Sequence, residues 1–255
     1  MIKAIFFDID GTLMPIGAKQ MPRDTINALN KLKEKGIKIF LASGRGVGQL
    51  EVITKDVSFD GYITLNGQIC LDEQFHLYFG NEIPKEDWKV LQNIFETKER
   101  PAIIIEEARS YINYVDEFTE AVQKEIGVKS AAVGAYGGDA VYQVIMYADA
   151  SYAEKLFEKL PNCKWSRWHP HGIDIFSKDG GKMTGIQKTL EYFAIRREET
   201  MAFGDGDNDV DMLEYVGIGV AMGNAVEKTK AAAQYVTSEV EEQGISKALE
   251  HFGLI

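Results

Sequence analysis

Two cysteines in 255 residues, Cys70 and Cys163, are too few and too widely spaced for a disulfide framework or a zinc cluster. Both read as ordinary buried thiols. No apolar run approaches the roughly 20 residues needed to cross a bilayer. The start of the chain lacks the basic stretch, apolar segment and small-residue cleavage site of a secretory signal, so the expectation is a cytoplasmic protein. Positive charge is also scarce: 28 Lys and Arg stand against 39 Asp and Glu, a formal charge of -11. That balance repels nucleic acid and anionic membrane surfaces, and neither is expected as a partner. An anionic substrate would need local positive groups to attract it. No convincing internal repeat or low-complexity tract is present. What the chain does have is 45% hydrophobic residues, enough for the core of one large domain or of a medium domain plus a smaller one.

The pattern along the chain predicts a discontinuous core. An apolar run opens at residue 2, and a helix over 22–35 carries Ile26, Leu29 and Leu32 between Pro22 near its start and Gly36 past its end. Buried strands follow at 37–42 and 61–65, giving the βαβαβ rhythm of a doubly wound sheet. The rhythm then breaks. Residues 85–97, 116–126 and 152–159 read as helices, and 102–106, 110–114, 141–147, 163–168 and 172–176 as strands. That order is α+β with an antiparallel sheet, typical of a separate inserted domain. From Gly180 the α/β pattern resumes with a helix over 183–193, strands at 200–203 and 218–221, a helix over 210–215 and further helices to the end.

Chemistry-bearing residues gather where strands stop. The run IKAIFFDIDGTL places Asp8 and Asp10 at the carboxyl end of the first strand, where open α/β sheets bind ligands. Alternation along an extended chain lets both carboxylates point the same way, and such a pair suits a hard cation, most simply magnesium. Asp, Gly and Thr are also turn formers, so the segment alone is equally a turn. The second strand ends in Ser43, Gly44 and Arg45 at an expected helix start, where a hydroxyl and free amides can hold a phosphate oxygen or simply make a turn. Gly180 and Gly181 present Lys182 at the next helix, although a surface lysine is commonly a solvated charge. It is not a P-loop lysine, because Phe176 and Met183 occupy positions that motif reserves for Gly and for Ser or Thr. The segment GDGDND at residues 204–209 puts Asp205, Asn208 and Asp209 after another apolar strand. An EF-hand is excluded there by Val210 and Val216 at the required glycine and closing glutamate.

In order and spacing, DIDGT, Ser43-Gly44-Arg45, Lys182 and GDGDND resemble the haloacid dehalogenase-like phosphatases. The match is closest to their Cof-type branch, which carries a large α/β cap inserted after the third core strand. The resemblance extends to residues 220–225 (VAMGNA) and 244–247 (GISK), nearly the whole chain. It implies a Rossmann-like, mostly parallel core from residues 1–82 and 179–255 and an inserted α+β cap over 83–178. It further implies that Asp8 attacks phosphorus and becomes an aspartyl-phosphate, while Asp10 protonates the leaving oxygen and later deprotonates water. Magnesium would be held by Asp8, the Asp10 main-chain carbonyl and Asp205, with Asp209 behind them. Ser43, the Gly44 amide, Lys182 and Asn208 would hold the phosphoryl oxygens. The substrate implied is a small phosphomonoester, first a sugar phosphate. Arg45, Arg167, Trp168 and His169, with His171, are candidates for choosing the leaving group, and packed strand or turn residues otherwise. A phosphomutase or phosphotransferase, or a phosphometabolite-binding module without turnover, are the alternatives. A monomer is expected, since the cap covers the site without a partner subunit.

Overall fold

The computed structural model describes residues 1–107 and 109–255. They form two compact units: Met1–Phe79 with Gly181–Ile255, and Gly80–Gly180. Among the described residues no helix is long and apolar enough to cross a membrane.

The first unit opens with β1 (Ala4–Phe7), buried throughout. In α1 (Arg23–Glu34) the buried residues Thr25, Ala28, Leu29 and Leu32 fall at helical spacing, so a single stripe faces the sheet. Pro22 caps its start, and Gly36, at φ 74°, lies beyond its end. Next come β2 (Lys38–Ala42), α2 (Glu51–Thr54) and β3 (Gly61–Thr64). The helix expected directly after β2 is not there. A 3-10 turn at Val47–Gln49 and the four-residue α2 replace it, because Gly44, Gly46 and Gly48 make that stretch a poor helix former. The sequence pattern also gave no warning of β4 (Ile69–Asp72) and β5 (Leu77–Gly80), which extend the sheet beyond β3.

The second unit contains α3 (Lys85–Glu96), β6 (Ala102–Ile105), β7 (Ser110–Ile112), α4 (Glu117–Glu125), β8 (Gln143–Tyr147), α5 (Ala150–Phe157), β9 (Cys163–His169) and β10 (Gly172–Ser177). Its sheet runs β7-β6-β8-β10-β9, with every pair antiparallel. Asp116 and Asp149 cap α4 and α5 by accepting from the amides of Thr119 and Tyr152. One sheet face packs Ile104, Val144, Ile173 and Ile175 against Leu91, Ile94 and Phe95 of α3 and Ala153 and Leu156 of α5. The other gathers Ile103, Ile112 and Tyr147 around Val122 of α4.

The chain returns to the first unit through α6 (Lys182–Phe193), β11 (Thr200–Gly204), α7 (Val210–Tyr215), β12 (Ile218–Ala221), α8 (Glu227–Ala232), β13 (Tyr235–Val236) and α9 (Gly244–His251). Its sheet has the order β13-β12-β11-β1-β2-β3-β4-β5, parallel from β13 to β3 and antiparallel at β3–β4. Stacked ring pairs Phe6–Phe40 and Phe7–Phe203, with centroids 5.0 and 5.1 Å apart, lock the central strands. In register, Phe7 lies beside Leu41 and Phe203. Parallel neighbours in this register end together, so Asp8, Ser43 and Asp205 leave the sheet at one edge. Cys70 and Cys163 are free and buried, and burial pushes the Cys70 thiol up to about 12.

Candidate active site

At that edge three carboxylates surround one ammonium. Lys182, the first residue of α6, is 2% exposed and donates to Asp8 Oδ1 at 2.6 Å and Asp209 Oδ1 at 2.5 Å. It is therefore a buried ion-pair partner and not a solvated surface charge. Asp8, Asp205 and Asp209 each offer an oxygen within 4.8 Å of the others. Asp205 accepts from the Thr12 hydroxyl at 2.7 Å. Asp209 is fully engaged: besides Lys182, its Oδ2 accepts from the amides of Asp205 and Gly206, both at 2.9 Å. Its part is to fix the loop and the lysine.

The electrostatics follow from this crowding. Burial pushes the Asp8 carboxyl up to about 7; Lys182 pulls it down and Asp209 adds to the rise. Burial likewise takes Asp205 up to about 6, against the hydrogen bond from Thr12. For Lys182, burial disfavours the ammonium, but Asp209 and Asp8 outweigh it and hold its pKa above the usual lysine value. When all are ionised, three carboxylates against one ammonium leave two negative charges uncompensated. A hard divalent cation fits this donor set of carboxylate oxygens in charge and chemistry. Gly11 shapes the same place: at φ 86°, a Cβ there would lie 2.2 Å from Asp205 Oδ2.

Asp10 does not join this cluster. β1 stops at Phe7, and the amides of Thr12, Leu13 and Met14 all turn back to the Ile9 carbonyl, so strand alternation does not reach Asp10. Its carboxylate faces Arg45 instead, which donates through Nε at 2.8 Å and Nη2 at 2.6 Å. Asp8 and Asp10 thus point to different partners, contrary to the shared direction expected from alternation.

Ser43 and Gly44 meet a third element that the sequence did not disclose. After β3, Leu65, Asn66 and Gly67 take φ values of 52°, 54° and 84°, a rare run of left-handed residues. The Asn66 amide donates to the Ser43 carbonyl, and its side-chain oxygen accepts from Asn208 Nδ2 at 3.0 Å. A Cβ on Gly44 would come 3.2 Å from Asn66 Nδ2, and one on Gly67 would strike the Gly181 carbonyl at 2.0 Å. The turn therefore gathers the Ser43 loop, Asn208 and the approach to Lys182. Its signal in the sequence was an Asn-Gly directly after the third strand, at the ligand-bearing edge. Thr12 and Asn224 lie in the motifs DIDGT and VAMGNA, which by themselves assign them no role. Asn224 clasps the loop by donating to the Gly11 carbonyl at 2.8 Å and accepting from the Val240 amide at 3.0 Å.

Arg167, Trp168 and His169 all belong to β9 in the second unit. Arg167 Nη1 donates to the Pro170 carbonyl at 2.9 Å, and the guanidinium lies over the Trp165 ring. The Trp168 indole donates to Asp174 at 2.9 Å, and burial pushes that carboxyl up to about 7. His169 Nδ1 accepts from the His171 amide at 3.1 Å. As a lone acid between two isoleucines, Asp174 carries no signal in the sequence.

Known proteins are similar to this chain in sequence and in fold. The family model for haloacid dehalogenase-like hydrolases matches residues 5–249. The phosphatase BT1666 from Bacteroides thetaiotaomicron, of the same superfamily, superposes with a TM-score of 0.90 at 32% identity, covering 100% of this chain and 96% of that one. The subclass IIB sugar phosphatase BT4131 gives a TM-score of 0.86 at 36% identity over 99% of this chain and 100% of its own. The 5-amino-6-(5-phospho-D-ribitylamino)uracil phosphatase YitU of Bacillus subtilis (strain 168) is 30% identical over 98% of this chain and 97% of its own length. With a match running from β1 into α9 and these acidic loops at one sheet edge, the chain belongs to the haloacid dehalogenase-like hydrolases, among their phosphatases.

Proposed function

We propose that the protein is a magnesium-dependent phosphatase of small phosphomonoesters, sugar phosphates first, that works through an aspartyl-phosphate. The observation that carries this reading is Asp8. Lys182 holds one of its oxygens at 2.6 Å, in a buried cluster with two carboxylates in excess of charge. In this reading the other oxygen of Asp8 attacks phosphorus in line with the leaving oxygen, and the phosphorus–oxygen bond to the leaving group breaks. Asp10 gives its proton to that leaving oxygen. It then takes a proton from water as the water attacks the aspartyl-phosphate, releasing phosphate and restoring Asp8. Lys182 favours the ionised form of Asp8 against the burial that opposes it, and holds the carboxylate in place. Ser43, the Gly44 amide and Asn208 bind the phosphoryl oxygens, Asn208 being aligned by Asn66. Asp8, Asp205 and the Asp10 carbonyl would hold magnesium, which when bound supplies positive charge opposite the phosphoryl oxygens.

Sugar phosphates come first because BT4131 is a sugar phosphatase and YitU acts on a phosphorylated ribityl compound. Residues 83–178 are the proposed cap that selects the leaving group, with β9 supplying Arg167, Trp168 and His169 as candidates. The test is phosphate release from a panel of sugar phosphates and other phosphomonoesters with magnesium or with EDTA. Stoichiometric, magnesium-dependent release supports the reading. Transfer to a second hydroxyl without free phosphate points to a phosphomutase, and no turnover across the panel overturns it.

A further inference from the structure

Both oxygens of Asp10 are bound by one side chain. Arg45 offers Nε to Oδ2 at 2.8 Å and Nη2 to Oδ1 at 2.6 Å, the parallel fork that gives guanidinium–carboxylate pairs their directionality. The fork itself is anchored. Arg45 Nη1 donates to the Gln49 carbonyl at 3.3 Å, its amide donates to Ser43 Oγ at 3.2 Å, and its carbonyl accepts from the Leu65 amide at 3.1 Å. The pair is not sealed from solvent, since the Arg45 and Asp10 side chains are 24% and 39% exposed. Without the fork, Asp10 would be a short side chain on an open turn, free to rotate.

We propose that Arg45 is a positioning residue for Asp10, not a contact to the leaving group. The proposal rests on the phosphatase reading, in which Asp10 handles the proton. A carboxylate has about four acceptor sites, and the fork takes two of them, one on each oxygen. The plane of Asp10 is thereby set, and the remaining sites face away from Arg45, available to the leaving oxygen and then to water. Proton transfer requires an approach of roughly 3 Å in a fixed direction, so a carboxyl held in plane, carrying its proton on a site that the fork leaves open and taking one back there from water, serves both steps where a rotating one does not. A lysine at this position would supply charge without the two-point hold.

A double-mutant cycle of Arg45→Ala and Asp10→Asn tests this, run on an alkyl phosphate whose leaving group needs a proton. Arg45→Ala is expected to lower kcat by about tenfold or more with KM within about threefold, and to add less than about twofold to the loss in Asp10→Asn. Arg45→Lys should recover only part of the rate; it also serves as the second variant if Arg45→Ala does not fold. A raised KM with kcat kept, or losses that multiply in the double mutant, overturns the proposal in favour of a substrate contact. A second readout is independent of turnover. NMR of the resting enzyme should show a slowly exchanging Arg45 Nε–H that becomes fast in Asp10→Ala, and a resonance unchanged by that substitution overturns the pairing. A wild type that hydrolyses nothing defeats the phosphatase reading instead, so the two failures are distinguishable.

Discussion

Without the proposed cation, the protein should show the cost of gathering three carboxylates around Lys182. Burial pushes the Asp8 carboxyl from an ordinary 3.8 up to about 7, so the native, metal-free protein binds that proton more tightly than the unfolded chain. The sign follows directly. Stability from such a group is fully present below the unfolded value and is lost as pH rises through the folded one, here between about pH 4 and about pH 7. Roughly three pH units at about 1.4 kcal/mol each put the loss at about 4 kcal/mol. For a chain of this size that lowers the unfolding midpoint by roughly 10 °C. Asp205, pushed up to about 6, works in the same direction. Glu199 works in the other: hydrogen bonds from Arg196 and Lys3 hold it at about 2 against an ordinary 4.5, so its contribution fades only at lower pH. The assay is thermal unfolding in EDTA from about pH 4 to about pH 8, for the wild type and Asp8→Asn, repeated with magnesium. The wild-type midpoint should fall with pH relative to Asp8→Asn, and magnesium should restore it most at the alkaline end, where no proton competes for Asp8. A metal-free wild-type midpoint that holds or rises relative to Asp8→Asn refutes the reasoning.

Asp8→Asn should abolish turnover while circular dichroism shows the fold intact, and retained phosphate release removes the covalent mechanism. Asp10→Asn should slow hydrolysis of alkyl phosphates by about 100-fold or more, and a rate within about threefold of wild type argues against its acid-base role. Gly11→Ala places a Cβ 2.2 Å from Asp205 Oδ2 on a backbone at φ 86°. Its cost should be about 2 kcal/mol in denaturant unfolding, with magnesium affinity by calorimetry at least about tenfold weaker. Unchanged affinity would mean that Asp205 does not depend on this cradle.

The sequence by itself determined the class of fold and which candidate residues would gather at one edge of the sheet. Strands buried on both faces read as continuous apolar runs, and in a parallel sheet the residues just past them must meet at one edge. Asp8, Ser43 and Asp205 were therefore legible as neighbours although 197 positions separate the first from the last. The α+β pattern of the middle segment was legible for the same reason, since its periodicities switch cleanly between helix and strand. The directions of the side chains were not legible. Alternation fails where β1 ends at Phe7, so only the folded turn shows Asp10 meeting Arg45 while Asp8 meets Lys182. Lys182 carries the general lesson. By composition a lysine is a solvated charge, and no local pattern says otherwise. It became a buried one because α6 begins where β1 and β11 end, and two carboxylates from distant segments repay the loss of its hydration. The left-handed turn at Asn66 was hidden for a similar reason. Its strain is stable only because Ser43, Asn208 and Gly181 close around it, and that closure exists in three dimensions alone.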